Sequence, residues 1–70
     1  METHESYTLE IDATQCTVQR AIISRGDGQK VWWFRIEDKA SGEVLATATA
    51  ARYVQAYGIA LRNAERKLSK

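Results

Sequence analysis

The sequence has no proline, one cysteine and one histidine among its 70 residues, and each scarcity closes off a class of protein. Without proline, and with no low-complexity block or internal repeat, there is no linker at which to divide the chain, so residues 1–70 read as a single domain with residues 1–6 flexible. Cys16 has no second cysteine to pair with, which excludes the disulfide framework of small secreted domains and points to a reducing, cytoplasmic setting. One histidine and one cysteine fall short of the four ligands a protein zinc site usually takes, so no metal and no other cofactor is expected. No apolar stretch approaches the roughly 20 residues of a membrane-spanning helix, and the acidic N-terminus lacks a basic region followed by an apolar run. No membrane partner is expected.

Charge of one sign is also missing. Ten Lys and Arg stand against nine Asp and Glu, a net charge of +1, and strong general affinity for phosphate needs clustered cations rather than a neutral average. The distribution is uneven all the same. Residues 1–12 carry Glu2, Glu5, Glu10 and Asp12 without a cation, whereas residues 50–70 carry Arg52, Arg62, Arg66, Lys67 and Lys70 against Glu65 alone. Such charge runs usually face water.

Catalytic constellations are absent too. Nucleophilic catalysis needs a Cys or Ser held by a base that is itself oriented, and the one histidine, His4, lies in the flexible lead-in, with Cys16 read as an inert core thiol. Glu37 and Asp38 are adjacent on a strand and point to opposite faces, so they cannot act as a facing acid–base pair. Gly26-Asp27-Gly28 lacks the Gly-Lys-Ser/Thr of a phosphate loop and reads as a hairpin turn. No catalytic residue and no small-molecule substrate is expected; the protein is read as a non-enzyme.

What is present is patterned. Lys30–Asp38 alternates, placing Trp32, Phe34 and Ile36 on one face and Val31, Trp33, Arg35 and Glu37 on the other. The glycine-bearing turns Gly26–Gln29 and Lys39–Gly42 flank it, with Cys16–Arg25 before, Glu43–Ala48 after and Tyr7–Asp12 as a fourth, N-terminal edge strand. From about Ala50 the period changes to that of a helix. Tyr53, Val54, Tyr57, Leu61, Ala64 and Leu68 fall on one side, and Arg52, Gln55, Arg62, Asn63 and Arg66 on the other. Thr47 or Thr49 is the expected N-cap. Gly58, costly within a helix, is expected to allow close packing against Trp32 or Phe34. The expected fold is α+β: an antiparallel meander of three to four strands followed by one long C-terminal amphipathic helix on one face of the sheet. Trp32, Phe34, Ile36, Val54, Leu61 and Leu68 are the expected core.

One helix covers only one face of such a sheet. The other face, bearing Val31 and Trp33, either docks a partner or is covered by the N-terminal segment. On the helix, Ile59 falls opposite the core stripe among Arg52, Arg62 and Arg66, and arginines around an aliphatic residue suit an acidic protein surface. These patterns lead to a small regulatory or inhibitory binding protein acting by protein–protein association, with another protein or with itself as a homodimer, through Val31, Trp33 and Arg35 or through Ile59, Arg62 and Arg66. A phage or mobile-element origin suits an inhibitor of this size. The alternative is a nucleic-acid-binding regulator in which Arg52, Arg62, Arg66 and Lys70 contact phosphate and Trp33, with Arg35 and either Arg20 or Gln19 alongside, stacks bases.

Overall fold

A computed structural model describes the backbone of residues 4–69 and the side chains of residues 5–69. Four antiparallel strands, β1 (His4–Ile11), β2 (Thr14–Ser24), β3 (Lys30–Asp38) and β4 (Val44–Ala50), form one sheet in the order β1-β2-β3-β4, and α1 (Tyr53–Leu68) follows. The α+β meander with a C-terminal helix is the architecture expected from the sequence. β1 starts earlier than the alternation suggested, because His4 and Glu5 already pair with Ala21 and Arg20. Residues 4–6, expected to be flexible, are therefore part of the sheet, and residues 1–3 lie outside the described residues. From His4 onward the N-terminal segment extends the sheet sideways as part of β1.

Each hairpin has its own turn chemistry. Ile11 pairs with Thr14 across Asp12 and Ala13, both at positive φ (49° and 65°), the two-residue geometry whose twist matches that of paired strands. No glycine marks this turn in the sequence. Between β2 and β3, the Arg25 amide donates to the Gln29 carbonyl at 2.6 Å and Gly28 adopts φ +86°. Between β3 and β4, the Gly42 amide donates to the Asp38 carbonyl at 2.7 Å with Gly42 at φ +78°, and the Asp38 carboxylate accepts from the Ala40 amide at 2.9 Å. The β3–β4 ladder shifts register between Ile36 and Glu37, where Leu45 is the extra residue.

Residues directly opposite each other in an antiparallel pair share a face, so the register sorts the side chains. Glu5, Arg20, Phe34 and Ala48 form one row on the helix side, and Tyr7, Val18, Ile36 and Ala46 the next. Phe34, Ile36, Val18 and Cys16 are the largest fully buried side chains, joined in the core by Ile11, Leu45 and Ala46.

The helix meets this layer differently from the expected wheel. Its buried residues are Ala56, Ala60 and Ala64, each with no exposed surface, while Tyr53, Tyr57, Leu61 and Leu68 pack against the core from one flank. Val54, expected in the core, is 79% exposed. The reason is steric: a stripe of alanines lets the helix backbone lie close over β3 and β4, and the large side chains then reach down beside it. Gly58 is not a close-packing site, since a Cβ added there meets nothing within 4 Å. Neither Thr47 nor Thr49 caps the helix. Both belong to β4, and the N-cap position is Arg52, which makes no side-chain capping hydrogen bond. Among the described residues no helix is long and apolar enough to cross a membrane.

Candidate binding surfaces

The face of the sheet turned away from the helix carries the rows Ser6, Gln19, Arg35 and Thr47, and Ala21, Trp33 and Thr49. No other element of the described chain packs on it. Val31, opposite Ile23 on this same face, and Trp33 are both half-buried. Ala21, opposite Trp33, is buried. Trp33 has Ala21 and Thr49 beside it in its row, Ile23 and Val31 in the next row on one side, and Gln19, Arg35 and Thr47 in the row on the other. Arg35 donates to Glu37 across 2.6 Å, so its charge is already shared with a carboxylate. Its Nε is buried without a hydrogen-bond partner among the described residues.

Arg20 is not on this face. Gln19 is the residue alongside Arg35, and Arg20, one position on, points to the helix side opposite Phe34. There it joins β1 to α1. Its Nε donates to Glu5 at 2.7 Å, its Nη2 pairs with the same carboxylate oxygen, and its Nη1 donates to the Tyr53 hydroxyl at 2.6 Å. The guanidinium also lies over the Tyr7 and Tyr53 rings, at 5.8 and 5.4 Å from their centroids, within the range of a cation–π contact. Tyr53 meets Trp32 edge-on at 4.8 Å and Phe34 at 5.2 Å, and stacks on Tyr57 at 6.2 Å. Five of the six aromatic residues thus gather on the helix side, and only Trp33 looks the other way.

This cluster was not legible as a unit in the sequence, although the alternation of Cys16, Val18, Arg20 and Ile22 gave the signal for Arg20. Its electrostatics are those of a structural clamp. The Glu5 carboxylate makes the Arg20 guanidinium hold its proton more tightly than usual. Burial, with the Tyr53 and Tyr57 hydroxyls close by, raises the Tyr7 phenol above its ordinary range, against the pull of Arg20. Every Arg20 nitrogen has a partner within the chain.

Cys16 is buried, donates to the Thr14 carbonyl at 3.5 Å, and has its thiol pushed up by burial and by the Asp38 carboxylate. It pairs with Leu9, whereas His4 pairs with Ala21, so the backbone holds the two well apart along the sheet. A raised thiol disfavours the thiolate that nucleophilic chemistry uses. Among the described residues no group of three His, Cys, Asp or Glu side chains is placed to hold a metal ion.

The second expected surface lies on the helix. Ile59 is 37% exposed, and Arg52, Arg62 and Arg66 are exposed near it; Lys70 lies outside the described residues. Lys67, by contrast, reaches Glu43 at 3.5 Å. The two expected sets of binding residues do not meet. Val31, Trp33 and Arg35 lie on one side of the sheet, and Ile59, Arg62 and Arg66 lie on a helix packed against the other. Comparison with family models, curated proteins and solved structures finds no match to the chain.

Proposed function

We propose that the protein is a small non-catalytic regulator or inhibitor that acts by binding another protein through the outer face of its sheet, with Trp33 as the central anchor and Val31 and Arg35 beside it. The observation that supports this reading most directly is that Trp33 stands with Val31, Ile23 and Ala21 on the face of the sheet opposite the one the helix occupies, an apolar group outside the single core. A tryptophan beside Ala21, Ile23 and Val31, edged by Gln19, Arg35, Thr47 and Thr49, has the make-up of an interface hot spot: a large desolvable anchor inside a polar rim.

The nucleic-acid reading draws less support from the same geometry. A single strand bound on Trp33 is separated by the sheet from Arg52, Arg62 and Arg66, and the one arginine beside Trp33 shares its charge with Glu37. Binding through the helix arginines alone would be sequence-independent and steeply salt-dependent.

Affinity capture with the tagged protein from lysate of the organism that encodes it, with and without nuclease, tests the reading when Trp33→Ala and Arg62→Glu are run beside the parent. The expected result is a protein retained at fixed stoichiometry after nuclease treatment and lost with Trp33→Ala. Capture that disappears with nuclease, or that Arg62→Glu abolishes and Trp33→Ala spares, would overturn it.

A further inference from the structure

From the free edge of β4 we infer a docking site for a second copy of this chain, which pairs there antiparallel to its counterpart and joins two four-stranded sheets into one of eight strands. The inference goes beyond the partner-binding reading above and uses different residues, an edge instead of a face.

β4 is the last strand of the sheet, so among the described residues the backbone N–H and C=O groups on its outer side have no neighbouring strand. Proteins usually protect such an edge with charge, proline or a covering segment. The other edge, β1, carries Glu5 and Glu10. β4 reads Val-Leu-Ala-Thr-Ala-Thr-Ala, with neither charge nor proline along its whole length. Its one irregularity is the extra residue Leu45 near its start, which leaves Ala46–Ala50 as a regular stretch.

A second β4 is the occupant whose charges fit. Glu43, which reaches Lys67 of its own copy across 3.5 Å through one carboxylate oxygen, precedes the strand and Arg52 follows it, so antiparallel pairing about a two-fold axis brings Glu43 of each copy toward Arg52 of the other. Parallel pairing would set like charge beside like. The two-fold axis requires that residues paired across it share a face, and centring it on Ala48, the middle of the regular stretch, satisfies this. Thr47 then faces Thr49 of the other copy on the outer side, a favourable cross-strand pair, and small alanines face each other on the helix side, where bulk would collide with the helices.

The helix adds apolar surface on the same side. Tyr57 leans toward Phe34, with ring centroids 5.6 Å apart, and Ala56 and Ala60 face the sheet. Ile59, two residues on from Tyr57, therefore lies on the opposite flank, above the free edge of β4. Asn63, half-buried one turn later, continues that flank. The exposed Ile59, unexplained within one copy, gains a neighbour in two. In the joined sheet the two Trp33 residues lie on one continuous outer face.

Sedimentation equilibrium of the parent and of Thr47→Lys, Thr49→Lys and Trp33→Ala, each checked for folding by circular dichroism, tests the inference. Expected is a dimer for the parent and for Trp33→Ala, with self-association weakened at least tenfold in both lysine variants, because each places a charge in the shared edge. Disulfide trapping gives a second readout: Thr47→Cys mixed with Thr49→Cys should cross-link faster under mild oxidation than either variant alone. A parent that stays monomeric up to millimolar concentration overturns the inference. So does a dimer that both lysine variants preserve, or one that Trp33→Ala dissolves; the last outcome would instead move self-association to the outer face. Loss of partner capture in a Trp33→Ala variant that is still dimeric bears on the proposed function alone.

Discussion

Rotating α1 about its own axis decides which of two cores this protein has, and two substitutions separate them. If Val54 faced the sheet, truncating it would forfeit most of the ~1.5–3 kcal/mol that a buried valine contributes. At 79% exposure little apolar surface is lost, and alanine improves helix propensity by up to ~0.7 kcal/mol. Val54→Ala is therefore expected to change stability by less than about 0.5 kcal/mol, in the range of ordinary surface substitutions. Ala60 is the opposite case. It is fully buried between helix and sheet, and Ala60→Leu forces three more carbon atoms into a contact whose closeness depends on the small side chain. Overpacking of this kind costs about 1–3 kcal/mol. For a domain of this length each kcal/mol moves the melting temperature by roughly 4–8 °C, so Ala60→Leu should lower it by about 10 °C or fail to fold. Thermal and urea denaturation followed by far-UV circular dichroism measures both. A marked loss in Val54→Ala together with a near-neutral Ala60→Leu would refute the alanine-stripe packing.

Two glycine exchanges are expected to stabilise the fold in opposite directions of sequence. Gly58→Ala should gain about 0.5–1 kcal/mol, since the added Cβ meets nothing and helix interiors disfavour glycine; Ala13→Gly should gain about 1 kcal/mol by relieving a positive φ at a non-glycine residue. A lower urea midpoint in either variant counts against the local geometry. Stability should also fall at alkaline pH. Tyr7 and Cys16 both hold their protons more tightly in the fold than their ordinary values of 10.0 and 9.0, so the stability they confer is complete below those values and is lost as pH rises through the raised ones. Urea midpoints measured across that range should drop, and Tyr7→Phe should lessen the drop; a Tyr7→Phe variant with the parent's profile would show that burial of this phenol is not responsible.

The strands of the meander and the phase of β3 were legible because alternation over nine residues and glycine-bearing turns are local signals. β1 and its turn were less so. Asp12-Ala13 makes a positive-φ turn without glycine, and the pairing of His4 and Glu5 depends on a strand distant in sequence. The choice between Arg20 and Gln19 beside Arg35 stayed open for the same reason, since the face of a residue on β2 follows from register, and a slip of one position reverses it; the register places Gln19 there. The helix was recognised from its period, yet its rotation was not. The large residues marked a hydrophobic side, but alanine carries too little hydrophobicity to reveal that it forms the contact.

By itself, then, the sequence determined the α+β class, the order of the elements, the exposure of Ile59 and the placement of Trp33 opposite Phe34, because each follows from local periodicity and turn chemistry. Only the tertiary structure decided that residues 4–6 join the sheet, that Arg20 clamps Glu5 to Tyr53, that alanines carry the helix contact, and that Trp33 and the helix arginines lie on opposite sides. Those outcomes depend on which strands pair and how closely the helix approaches, quantities set by the packing of the whole chain at once.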